Sequence, residues 1–172
     1  MHISNGTSRF VVVVGDLAFK FPKVLLTREL RSLWILLRNR RWSRVSVHFS
    51  HPPEALTSFQ YHILGGIIAN WREFKFWQEY RHPFCEPTYC SLFGIVNIQR
   101  ASPAYTALSD EEFWHKMCQI DRYRREDGHH FSNPDNFTVR DGVLRIADYG
   151  TKETQEVILR LGTVIMDHFS TP

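Results

Sequence analysis

An α+β fold is predicted by three observations on the sequence. Two apolar runs, Phe10–Val14 and Leu17–Phe21, meet at Gly15-Asp16 near the N-terminus. A second strand–turn–strand pattern, Asn136–Val139 then Val143–Ile146, turns at Arg140-Asp141-Gly142. Apolar residues at helical spacing fill the long stretch between the two patterns and the stretch after the second. Hairpins set apart by helices describe antiparallel pairing, not the regular strand–helix alternation of a parallel sheet.

In chain order, Gly15-Asp16 reads as a hairpin turn, because glycine supplies the positive φ a tight turn needs, and Pro22 stops the second strand. Lys20 stands among Ala18, Phe19 and Phe21. A lone strand lysine most often reaches solvent from an edge, and one inside a strand otherwise needs a reason to be there. Leu25 to Arg44 is helical, with Leu26, Leu30, Leu33, Trp34 and Leu37 on a repeating face. Arg28, Arg31, Arg38, Arg40, Arg41 and Arg44 cover much of the remainder, as a solvated face or a surface for an anionic partner. Ser50 to Pro53 is a loop. Ala55 to Tyr80 is a helix in which Gly65-Gly66 marks a break or a point of close packing. Trp71, Phe74, Trp77 and Tyr80 recur at helical spacing and predict a core face, with Glu73 beside it.

Arg81 to Thr88 is a loop, and Leu92 to Gln99 a buried strand or tight strand pair. Ser109 caps a helix whose capping box Glu112 completes, and Phe113, Trp114, Met117 and Ile120 form its apolar face. That helix fades into the charged Asp121–Asp127. Thr151 to Phe169 is a last helix, with Val157, Ile158, Leu161, Val164 and Ile165 inward.

A chain of 172 residues can build one core or two small lobes. Its 43% hydrophobic and 14% aromatic content excludes disorder, and a net charge of +3 forces no nucleic-acid reading. The start, MHISNGTSRF, has no leader pattern, and no apolar run is long enough to span a bilayer. Cys85, Cys90 and Cys118 are an odd number, as expected of reduced thiols in a cytoplasmic protein. Cys85 and Cys90 with His82 lack the fourth ligand of a zinc site.

The chemistry-bearing stretch is His129–Gly150. Asn136 precedes the second hairpin and Asp148 follows it, so the hairpin brings two oxygen ligands to one end. Such a pair suits Mg²⁺, which prefers oxygen and borrows further ligands from phosphates. His129–Asn136 resembles the catalytic loop His-Arg-Asp-x-x-x-x-Asn of the protein-kinase superfamily, and Asp148-Tyr149-Gly150 resembles its Asp-Phe-Gly. Leu17-Ala18-Phe19-Lys20 resembles its Val-Ala-Ile-Lys, in the correct order along the chain.

The resemblance implies a two-lobed α+β fold with a small antiparallel sheet lobe and a truncated helical lobe. Residues 1–100 would form the strand-rich N-lobe with its inserted helix. Residues 101–172 would form a minimal C-lobe carrying the metal hairpin. It implies that Lys20 contacts the phosphates of ATP and that Glu73, with Glu79 as the fallback, holds Lys20. Asn136 and Asp148 would bind Mg²⁺, and backbone groups of Gln99–Ser102 would bind adenine.

Phe131 stands where the family has its catalytic Asp, so His130 or Asp127 is the candidate base, while His129 braces the loop and Asp135 faces solvent. The Gly-rich loop is reduced to Gly6 in Ser4-Asn5-Gly6-Thr7. The Lys20–Glu73 interval is long, and only residues 151–172 follow Gly150. The chain thus resembles a minimal atypical kinase of the short kind found in bacteria and their phages. The expected function is phosphate transfer from ATP/Mg²⁺ to a protein or small molecule. The alternative is an inactive pseudokinase that regulates a partner protein. Neither nucleic acid nor membrane is an expected partner.

Overall fold

The computed structural model describes residues 1–6, 8–24, 26–49, 58–120 and 128–169. Asp127, the Ser50–Pro53 loop and the Asp121–Asp127 run lie outside the described residues.

Three N-terminal strands, β1 (His2–Asn5), β2 (Arg9–Val14) and β3 (Leu17–Pro22), pair antiparallel in sequence. The β2–β3 turn falls at the predicted Gly15, at φ 60°. Two helices follow, α1 (Leu26–Arg38) and α2 (Trp42–Phe49), and then the long α3 (Ser58–Tyr80). The strands β4 (Thr88–Leu92) and β5 (Val96–Arg100) form a hairpin that adds β5 to β3. The result is a five-stranded antiparallel sheet in the order β1-β2-β3-β5-β4. After α4 (Asp110–Ile120) come a single turn, α5 (Gly128–Phe131), and a 3-10 turn over Pro134–Asn136. The separate hairpin β6 (Phe137–Arg140) and β7 (Val143–Ile146) leads to the last helix, α6 (Lys152–Phe169). The architecture is α+β. No described helix is long and apolar enough to cross a membrane.

The second hairpin forms where Asp141-Gly142 predicts it. Both residues have positive φ, 53° and 74°, as a two-residue turn matched to strand twist requires. Phe84, Phe113, Phe137, Leu144, Ile146, Tyr149, Ile158 and Ile165 are buried together beneath it. This core joins the hairpin to α4 and α6.

Two sequence expectations are corrected. The single helix over Leu25–Arg44 divides at 39–41, where Arg40 takes a left-handed φ of 52° and the Arg40 and Arg41 N–H groups close back on Leu37 and Leu36. Leu26, Leu30 and Trp34 on its apolar face are exposed. The aromatic face of α3 is not its core face. Trp71 and Tyr80 are exposed, and the buried residues among those described are Gly65, Gly66, Asn70, Glu73 and Phe76. Small and polar residues are needed there because the helix backbone runs against the sheet. A Cβ at Gly66 would stand 2.5 Å from the Ser8 carbonyl oxygen and 2.8 Å from Pro22 Cβ. Gly65-Gly66 is therefore a close-packing point in an unbroken helix. Of the two readings of Leu92–Gln99 the tight strand pair holds: it is the end of one strand, a turn at 93–95 and most of another.

Candidate functional site

The site is built where α3 crosses the sheet and meets the chain leaving β7. Lys20 lies on β3, third of the five strands, between Val11 of β2 and Asn97 of β5. It alternates inward with Ala18 and is 4% exposed, so the edge-strand alternative does not apply. Its ammonium donates to both Glu73 oxygens, at 3.0 and 3.2 Å, and to the Ala147 carbonyl at 2.6 Å. Glu73 is fully buried on α3. It also accepts from the Tyr149 N–H at 3.3 Å and lies 3.5 Å from the Asn97 amide nitrogen. One turn earlier on the same face, Asn70 donates to the Lys20 and Gly94 carbonyls. The fallback Glu79 is exposed, beside Tyr80.

The second cation of the cluster is Arg9, the first residue of β2. Its guanidinium donates to Glu73 at 2.7 Å, to the Asn70 side-chain oxygen at 3.1 Å and to Asp148 Oδ1. Burial opposes the charge on Arg9, but Asp148 and Glu73 more than offset it and hold the group ionised. Burial likewise pulls Lys20 below the ordinary lysine range, against Glu73. At Asp148 burial favours the neutral acid. The charges of Arg9, Lys20 and His130 win, and hold the carboxyl well below the usual range.

Asn136 ends the 3-10 turn that Asn133 caps through its side chain. Its amide donates to the His130 carbonyl at 3.0 Å, and its own carbonyl accepts from the Ala147 N–H at 2.8 Å. Asn136 and Asp148 therefore share one end of the hairpin. The test of Mg²⁺ at this pair turns on Arg9, whose guanidinium already binds the carboxylate a cation would need. As arranged, the pair does not fit the ion. Among the described residues no group of three His, Cys, Asp or Glu side chains could hold a metal.

Phe131 is buried and packs on Phe137, ring centroids 6.0 Å apart. A carboxylate there would be desolvated, so the aromatic residue serves the core. Asp135 is exposed, and His130 is half-buried on α5. Asp127 lies outside the described residues.

A cavity of about 410 Å³ opens over the cluster, lined among others by Gly6, Arg9, Lys20, Ser102, Asn136 and Asp148. Along 99–102 the Arg100 and Ala101 N–H groups are already bonded, to the Pro87 and Asp16 carbonyls. The Ser102 hydroxyl is buried without a partner among the described residues.

Sequence reasoning missed the polar anchor behind the site. The Tyr149 hydroxyl donates to the Glu86 carbonyl at 2.8 Å and lies 2.7 Å from Thr88 Oγ1, all within the protein interior. Gln99 reaches the same two acceptors. Tyr149→Phe is expected to cost about 1 kcal/mol, since it leaves a buried carbonyl and hydroxyl with only the longer contacts from Gln99. Urea unfolding at constant m would read it, and an unchanged midpoint would show that the hydroxyl adds nothing. The signals for Arg9 and Asn70 were a charged residue opening an apolar strand and an amide one turn before Glu73. No protein-family model, curated protein or solved structure matches this chain.

Proposed function

We propose that the chain is a two-lobed kinase-like protein that binds ATP in the cavity between its five-stranded sheet and the β6–β7 hairpin. Residues 1–100 form one lobe and residues 101–172 the other. The observation that carries this reading is the buried Lys20–Glu73 ion pair, joined to Asp148 through Arg9, beside a cavity of nucleotide size. In kinases a strand lysine paired with a helix glutamate addresses the phosphates, opposite the Asp of Asp-Phe-Gly. Here the lysine lies on the third strand, the glutamate on the helix between β3 and β4, and the aspartate just beyond the hairpin. The phosphates would meet Lys20 beneath the Gly6 turn, and the base would lie toward Ser102. With Phe131 packed into the core, the reading favours a regulatory nucleotide-binding module over a phosphotransferase.

Calorimetric titration of ATP tests it. Lys20→Met is expected to weaken ATP about tenfold or more, the worth of one charge-assisted hydrogen bond to phosphate. The variant should still fold, because Arg9 keeps Glu73 paired. A folded wild type that takes up no ATP would sink the reading.

A second reading, phosphate transfer with a substitute base, is favoured by one observation. The His130 carbonyl accepts from Asn136, which lines the cavity, so His130 stands beside the cavity wall. Turnover of radiolabelled ATP that His130→Ala abolishes would favour the enzyme. Turnover absent from a protein that binds ATP would favour the regulatory module.

A further inference from the structure

The feature that the kinase-like arrangement leaves unexplained is Arg9. A buried arginine at this place is not needed to satisfy Glu73, which Lys20 already engages through both oxygens. Its other contact is Asp148, the carboxylate to which the resemblance gives the metal. Building on the nucleotide reading, we infer that the Arg9 guanidinium occupies the place of the divalent cation, and that the cavity takes a nucleoside triphosphate without metal.

Geometry supports the substitution. Arg9 is 6% exposed and is fixed from two elements, by Asn70 and Glu73 on α3 and by Asp148 beyond β7. A planar guanidinium bound in this way is a pre-organised charge and not a mobile side chain. It enters from the strand that follows the turn at Gly6, and that turn lines the same cavity. Arg9 and Asp148 both line that cavity, so the guanidinium lies against the carboxylate at the wall where a bridging cation would bind.

Charge counting agrees. Arg9 and Lys20 against Glu73 and Asp148 sum to zero. A kinase-type cluster of one lysine and two carboxylates is left negative and draws in Mg²⁺. This one is neutral before any ion arrives, and a dication at Asp148 would have to displace a guanidinium that has no other carboxylate to go to except one already shared with Lys20. Arginine also matches phosphate oxygens in its own right, so the two cations can receive the polyphosphate directly.

The test needs only the intact wild-type chain, titrated calorimetrically with ATP in EDTA and again in excess MgCl₂. The expected dissociation constants agree within about twofold. A loss of about tenfold or more in EDTA would overturn the inference and leave the nucleotide reading standing. A folded protein that binds ATP in neither buffer would overturn the nucleotide reading and this inference with it. Arg9→Met supplies the converse, provided its circular dichroism matches wild type. It should gain an affinity about tenfold tighter with Mg²⁺ than with EDTA, and it should bind Mn²⁺ detectably by electron paramagnetic resonance where wild type binds none. Mn²⁺ uptake by wild type in the absence of nucleotide would also overturn the inference, without any variant.

Discussion

Glu73→Gln lowers the unfolding free energy by about 3–5 kcal/mol, the cost of breaking a buried ion pair by removing one partner. The glutamine keeps the shape and some hydrogen bonding, so packing is not the issue. What remains is two buried cations, Arg9 and Lys20, with Asp148 as the one carboxylate the cluster retains, and its side chain is 37% exposed. The deficit depends on pH, and its sign can be worked out. Lys20 in the folded protein lies below its ordinary value of 10.5. Between those two values the unfolded chain holds the extra proton, so stability rises with pH across that window. Loss of Glu73 lowers the folded value further and widens the window downward. The variant's deficit is then larger at neutral pH than at alkaline pH, and it shrinks as Lys20 gives up its charge. Urea melts at a series of pH values would show it, and a deficit that grew with pH would contradict the assignment of Lys20 to this pair.

Gly66→Ala is the second large effect, and two rules disagree about it. Helix propensity alone favours alanine over glycine by about 1 kcal/mol in a helix interior. The close approach argues the other way, because the obstructing atoms are the Ser8 carbonyl and the Pro22 Cα and Cβ, at 2.5–2.9 Å. None of them is the yielding end of a flexible side chain. Overpacking against such atoms costs about 1–3 kcal/mol, occasionally more, and here the upper end applies. A net destabilisation of about 2 kcal/mol is expected, read as a lower urea midpoint. On the proposed nucleotide reading it should also weaken ATP binding, since α3 must move off the sheet and carry Glu73 away from Lys20. A stabilised Gly66→Ala would mean that helix and sheet are less closely seated than described.

Both results bear on what could be read from the chain alone. The hairpins were legible because their turns are written in residues of special φ, Gly15 and Asp141-Gly142. Lys20, Glu73, Asn136 and Asp148 were legible as a set because residue type and order are local properties. The inward face of α3 was not. Aromatic spacing at Trp71, Phe74, Trp77 and Tyr80 reads as core wherever side chains fill the gap, but here backbones meet and the face is small and polar. The break at Arg40 was hidden because a left-handed arginine carries no glycine signature. Arg9 was the least legible, since its partners lie 61 to 139 residues away and nothing in its neighbourhood names them.

The neutrality of the four-charge cluster has a consequence for how this chain can drift. Exchanging any one member alone for an uncharged residue leaves a net charge on the cluster in the interior. Tolerated changes at positions 9, 20, 73 and 148 should therefore come in opposite-signed couples, such as Arg9 lost together with one acid. A homologous chain that kept Lys20, Glu73 and Asp148 but lost Arg9 would carry an uncompensated carboxylate, and the substitution history of position 9 would then record where in the lineage a cation was gained or given up.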